Sequence, residues 1–213
     1  TELPGVIAMN LHASLLPKYR GAAPIQHSIM NGDDFTGNTT FLIQPKVDKG
    51  NIILQQKIKI ESKDNFLTLS KRMSRLGADL LIKSLDAIVN PKFAAIPQDD
   101  SLATLAPKIH KSHGRINWSD TSQYIHSKIK ALSFSPGTFA VLKGKRLKIY
   151  ESKLTSKKST HSPGIIFHSE NKIMVSCLDY CLELVEVQFE GKKKMYGVDW
   201  FRGINEKSGI KFD

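Results

Sequence analysis

Val6-Ile7-Ala8-Met9-Asn10-Leu11-His12 is a short apolar run that ends in two polar residues two positions apart. It reads as a buried strand, Val6 to Met9, with Asn10 and His12 just past its carboxyl end. Side chains two apart on an extended backbone point the same way. Open α/β sheets hold their ligand crevice just beyond the carboxyl ends of their strands. A neutral imidazole takes a proton near pH 7, and a carboxamide N–H donates to a developing oxyanion, so this pair suits acyl transfer. An isolated Asn-x-His is more often structural, so the surrounding residues have to decide.

Working outward, Pro17 and Gly21 mark a loop, and Pro24 to Asn31 reads as a short helix stopped by Gly32. Thr39 to Ile43 and Asn51 to Ile60 read as strands, with a loop from Pro45 to Gly50 between them. Asp64 is placed to N-cap a long helix whose apolar stripe runs Phe66, Leu69, Met73, Leu76, Leu80, Leu81, Leu85, Ile88 and Val89. Pro91 and Pro97 end it. This divides the chain into 1–92, a linker at 93–110, and 111–213. The second part opens with a helix from Thr121 to Leu132. After Ser135-Pro136-Gly137 come five short strands: Thr138 to Leu142, Arg146 to Ser152, Gly164 to His168, Lys172 to Ser176 and Leu182 to Phe189. Five such strands fit a small OB-fold-like barrel. The Lys/Ser/Thr-rich stretch Thr155 to Ser162 reads as a mobile loop.

Composition bounds the class. The chain has 213 residues, 40% apolar and 24% charged, which is ordinary for a globular chain and argues against wholesale disorder. No apolar run approaches the roughly 20 residues that cross a bilayer. Cys177 and Cys181 cannot form a disulfide scaffold and lack the partners of a zinc site, which fits a reducing compartment. The net charge of +11 is concentrated: residues 107–158 hold 12 Lys/Arg against 2 Asp/Glu, a net of +10. Such a block is either a solvated face or a footprint for a phosphate backbone.

The run from Asn10 to Gln26, Asn-Leu-His-Ala-Ser-Leu-Leu-Pro-Lys-Tyr-Arg-Gly-Ala-Ala-Pro-Ile-Gln, resembles the signature of the 10-formyltetrahydrofolate-dependent formyltransferases. Gly-Ala-Ala-Pro-Ile-Gln is similar to the form found in members that act on methionyl initiator tRNA. An Asp-x-Gly loop downstream falls on Asp48-Lys49-Gly50, and Gly114-Arg115-Ile116-Asn117-Trp118 resembles the junction into the family's C-terminal domain. The resemblance implies the second half of a Rossmann-like α/β formyltransferase domain followed by an OB-like, tRNA-binding β-barrel. It implies 10-formyltetrahydrofolate as formyl donor, no metal, and transfer to the α-amino group of methionyl initiator tRNA.

The same resemblance assigns Asn10 to hold the formyl oxygen, His12 to stabilise the oxyanion and shuttle a proton, and Asp48 to orient His12. It makes Ser14, Leu15, Leu16, Pro17, Arg20 and Gly21 a substrate and folate loop. Within the basic block, Lys143, Lys145, Arg146 and Lys148, with Lys108, Lys111 and Arg115 at the connector, become candidates for tRNA phosphates. The family's enzymes begin with roughly a hundred residues more, so a fragment is expected, inactive or very weak by itself. A monomer in the bacterial cytoplasm is expected, with the mitochondrial matrix as the alternative setting. A sugar-nucleotide formyltransferase and an inactive RNA-binding fragment are the competing functions.

Overall fold

A computed structural model describes residues 7–204 and 209–213. Val6, the expected start of the first strand, lies outside them. The chain divides into two compact units, Thr1–Ile109 and His110–Asp213.

The first unit holds a three-stranded antiparallel sheet, β1 (Met9–His12), β2 (Phe35–Leu42) and β3 (Ile52–Lys59), in the order β1-β2-β3. Asn10 and His12 therefore lie within a strand rather than past its end. The α/β character expected from the sequence is present, but the described strands pair antiparallel. β2 is buried along nearly its whole length because both of its faces are covered. Helix α2 (Phe66–Ile88) covers one face: a Cβ added to Gly77 would lie 2.8 Å from Leu11 and 3.1 Å from Asn38, and the Asn38 amide donates to the Met73 carbonyl at 2.8 Å. Leu11 thus faces the helix. Strand alternation sends Asn10 and His12 to the other face, with their cross-strand partners Phe41 and Thr39.

The buried stripe of α2 is Leu69, Met73, Gly77, Leu80 and Ser84. Leu85 and Val89, expected inside, are exposed. A tally of apolar residues passes over Gly77 and Ser84, which are small because the helix comes close to the sheet there. The N-cap is Asn65 and not Asp64. Asn65 and Thr68 form a reciprocal capping box, whereas Asp64 is buried against Arg72 at 2.5 Å and accepts the Glu61 N–H at 2.8 Å. Asn65→Ala should cost about 1 kcal/mol of stability, measured as a lower urea midpoint at unchanged slope.

Helix α1 (Pro24–Met30) starts at Pro24 as expected, and Gly32, at φ +71°, follows its C-cap. Residues 93–110 were expected as linker. Up to Ile109 they belong to the first unit: Ile96 and Ile52 exchange hydrogen bonds at 2.8 Å, and Ala106 donates its N–H to the Arg20 carbonyl and accepts the Ala23 N–H. Pro91 and Pro97 end the helix, but partners elsewhere in the unit decide where the chain goes next.

The second unit is a six-stranded antiparallel sheet with helix α3 (Ser122–Ala131) packed on it. The strands are β4 (Thr138–Leu142), β5 (Lys145–Lys158), β6 (Ile166–Ser169), β7 (Lys172–Ser176), β8 (Tyr180–Phe189) and β9 (Met195–Tyr196). They run β4-β5-β8-β7-β6, with β9 on β8. Among the described residues β4 and β6 do not pair, so no barrel closes. β4 and β7 have the bounds read from the sequence. The stretch from Thr155, expected as a mobile loop, begins as the end of β5: Leu154 pairs Leu182, Lys158 pairs Tyr180, and the Thr155 hydroxyl donates to the Cys181 carbonyl at 2.6 Å. Pairing with β8 outweighs the polar composition. β9 and α4 (Gly197–Arg202) carried no strong pattern in the sequence. Both cysteines are free and buried. Among the described residues no helix is long and apolar enough to cross a membrane.

Candidate active site

His12 is buried on the sheet face opposite α2. Its Nε2 lies 2.8 Å from the Tyr19 carbonyl oxygen. A carbonyl only accepts, so Nε2 carries the hydrogen, and Nδ1 is the ring nitrogen left for chemistry. Nδ1 stands 3.6 Å from Asp48 Oδ2. The residue that holds the ring is itself anchored. Tyr19 sits in the left-handed region at φ +62°, and its phenol donates to Asp33 at 2.6 Å and accepts from the Asn31 amide at 2.9 Å. Burial, and then the hydrogen bond to Asp33, push the Tyr19 phenol up to about 12, so it remains a donor at neutral pH.

Asp48 comes from the loop between β2 and β3 and also has left-handed backbone, φ +52°. Its Oδ2 accepts the Gly21 N–H at 2.8 Å. Asn10 shares the His12 face of β1 but is exposed. Its Oδ1 takes the Leu11 N–H at 2.9 Å, and among the described residues its Nδ2 makes no hydrogen bond. Residues two apart on a strand are separated by about 6.6 Å. The structure thus brings an imidazole and a carboxylate into contact, with an unengaged amide donor one pleat away on the same face.

The loop between β1 and α1 is mostly engaged with its own chain. The Ser14 hydroxyl donates to the Lys18 carbonyl at 2.5 Å, and Leu16 is buried with Phe41 and Ile52. The Leu16 backbone is held by the Thr39 hydroxyl and the Gln55 amide. Leu15 lies against Gly37, where a Cβ would come within 2.4 Å of its side chain. Pro17 accepts the Thr104 N–H through its carbonyl. Arg20 is buried and bonded to Gln98 and Asp100. Gly21 supplies the N–H on Asp48.

Two contributors were not foreseen: the Tyr19 carbonyl and Gln98. A backbone carbonyl has no sequence signature, and Gln98 lies 50 residues from the loop it touches.

In the second unit Lys143, Lys145, Arg146 and Lys148 gather on the β4–β5 hairpin, with Lys143 in the turn at φ +49°. Leu147 and Ile149 point inward, so Arg146 and Lys148 share the outer face. The Arg146 guanidinium lies 4.7 Å from the centre of the Phe139 ring, and Arg115 bridges to Phe139 through its backbone. Lys111 is exposed in a short 3₁₀ turn just before Arg115. Lys108 is exposed and belongs to the first unit.

Residues 2–85 match the family model described as formyl transferase, and residues 108–205 match that of the formyl transferase C-terminal domain. The chain belongs to the formyltransferase family. It is 41% identical over 201 residues to the methionyl-tRNA formyltransferase of Chlorobium chlorochromatii, covering 93% of this chain and 64% of that protein. It is 41% identical over 211 residues to the methionyl-tRNA formyltransferase of Caldicellulosiruptor saccharolyticus, covering 98% and 67%. The chain spans about two thirds of the length of these relatives. Among solved structures it is similar to an N-formyltransferase from Helicobacter canadensis in complex with folinic acid and dTDP-3-aminofucose. There the TM-score is 0.68 at 26% identity, covering 83% of this chain and 65% of that one.

Proposed function

We propose that this chain holds the formyl-transfer site and an RNA-facing unit of an enzyme that moves a formyl group from 10-formyltetrahydrofolate to the α-amino group of methionyl initiator tRNA. The observation that carries this reading is the His12–Asp48 contact at 3.6 Å, on the sheet face that also bears Asn10. The folinic acid in the Helicobacter protein's complex supports a folate donor.

The nucleophile is an amine with a reference pKa of about 7.7–8.0, which a neighbouring ester lowers, so it is largely neutral near pH 7. Its nitrogen attacks the formyl carbon, and the carbonyl electron pair moves onto oxygen. Asn10 Nδ2–H donates to that oxyanion. The attacking nitrogen now carries a surplus proton, and the folate nitrogen must gain one as its bond to the formyl carbon breaks. His12 Nδ1 passes that proton, while the Tyr19 carbonyl keeps the ring in place from the other side. Asp48 holds the charge that appears on the ring during transfer. No step requires a strong base.

We read the second unit as a partly open, OB-like barrel whose β4–β5 hairpin faces tRNA phosphates. The long, bulged β5, shared between β4 and β8, supports the curl, and the +10 block supports the polyanion. A sugar-nucleotide acceptor does not call for such a charge. The bacterial relatives support a bacterial cytoplasmic setting, and we take the chain as a monomer.

The test is formation of formyl-methionine from methionyl-tRNA and 10-formyltetrahydrofolate by the full-length protein, with an amino-sugar nucleotide as rival acceptor. Transfer to the sugar, or to neither, rejects the proposal. Replacing Lys145, Arg146 and Lys148 together by Ala should weaken tRNA binding at low salt. It should also flatten the log–log salt dependence by about 1 per residue replaced. A wild-type slope would remove the hairpin from the interface.

A further inference from the structure

We propose that Gln98 is a positioning residue that sets where the Asp48 carboxylate points. Its side chain joins two groups of opposite demand. Nε2 donates to the Asp48 carbonyl at 2.8 Å and to the Gly50 carbonyl at 2.7 Å. Oε1 accepts from Arg20 Nε at 3.1 Å and Nη2 at 2.7 Å. A guanidinium only donates and a carbonyl only accepts, so the amide has one usable orientation. Arg20 Nη1 continues to Asp100 at 2.7 Å, and Lys49 Nζ reaches the other oxygen of the same carboxylate at 2.8 Å. The segment 98–100 therefore grips three consecutive residues of the loop: the carbonyls of 48 and 50 and the amine of 49.

The grip has something to oppose. A non-glycine residue at φ +52° is in a sparsely populated conformation that persists where its surroundings over-determine it. From that fixed backbone the carboxylate reaches the Gly21 N–H and His12 Nδ1. Release of the two carbonyls lets the backbone at 48 relax and swings the carboxylate off the imidazole. The inference rests on the proposed formyl transfer for its kinetic consequence, but not for its structural one.

Gln98→Glu separates the two halves of the link. It keeps and strengthens the acceptor for Arg20, and it replaces the two donors by an oxygen facing two carbonyls. The first readout is hydrogen exchange at the Gly21 amide in the full-length protein. Protection should fall about 10-fold or more in Gln98→Glu, as in Asp48→Ala, with the α2 amides unchanged. The second is steady-state kinetics: kcat should fall about 10- to 100-fold with KM for the formyl donor within about 2-fold, since small misplacements act on the reacting geometry. Combined with Asp48→Asn, the Gln98 change should cost nothing further. Gln98→Met, of similar length and without charge, carries the same expectations if Gln98→Glu fails to fold. Unchanged Gly21 protection, or independent losses that multiply in the double variant, would overturn the assignment. If protection falls but even the unaltered protein transfers no formyl group, the proposed function fails and the positioning role stands.

Discussion

Asn10→Ala, assayed in the full-length protein, is expected to lower kcat for formyl transfer by about 100- to 1,000-fold, the usual consequence of removing one oxyanion donor. The Asn10 carboxamide is already sorted by its own strand. Oδ1 is occupied by the Leu11 N–H at 2.9 Å, so Nδ2 is the end available to a substrate oxygen. The donor strengthens its bond only as negative charge develops, so the loss belongs in kcat rather than in KM. Asn10 is exposed, and its removal leaves no buried group unpaired, so the urea midpoint should stay near that of the unaltered protein. Asn10→Asp preserves the shape, removes the donor and adds a repelling charge, and should be at least as impaired. A kcat for Asn10→Ala equal to that of the unaltered protein rejects the oxyanion role.

Gly21→Ala should be strongly destabilising and should also disturb the site. Gly21 has φ +124°, outside even the left-handed helical region that other residues visit. A Cβ there would lie 2.6 Å from the Ala106 carbonyl oxygen, and that carbonyl is committed to the Ala23 N–H. Backbone strain and overpacking of about 1–3 kcal/mol each give an expected cost near 3 kcal/mol, or about 1 M or more off the urea midpoint. Because the Gly21 N–H is also the 2.8 Å donor to Asp48, activity should fall below what the folded fraction accounts for. A variant with unchanged midpoint and rate would show that this backbone does not hold the carboxylate.

The candidate catalytic trio was nominated by resemblance, Asn10 and His12 within the Asn10 to Gln26 signature and Asp48 in the downstream Asp-x-Gly loop, because spacing alone leaves an Asn-x-His pair more often structural. α1 was legible from Pro24 and Gly32, and β4 and β7 from their flanking turns. What misled were compositions whose outcome depends on a distant partner. Thr155 to Lys158 is polar enough to be a loop and becomes a strand end because β8 lies beside it. Leu85 and Val89 continue a helical stripe but remain exposed, because the sheet follows the smaller Gly77 and Ser84. Arg20, which the resemblance places in the substrate and folate loop, is bonded within the chain to Gln98 and Asp100, a tie that no local pattern announces. The bonds from Lys49 and then from Arg20 hold the Asp100 carboxyl down at about 2, with Lys49 contributing most. That value lies below the ordinary 3.8 of an aspartate carboxyl, so the stabilisation from the Lys49 and Arg20 bonds is fully present above about pH 4 and is lost as pH falls toward 2.

By itself the sequence determined the order and type of most elements and the basic block, because propensity and turn residues are local, and its resemblance to a family nominated the candidate catalytic residues. Only the tertiary structure decided which nitrogen of His12 is free, that Asp48 is held by Gly21 from one side and Gln98 from the other, and which basic residues share a face. These depend on groups up to 50 positions apart meeting within 3 Å, and on backbone carbonyls and amides that every residue has and no side-chain pattern announces.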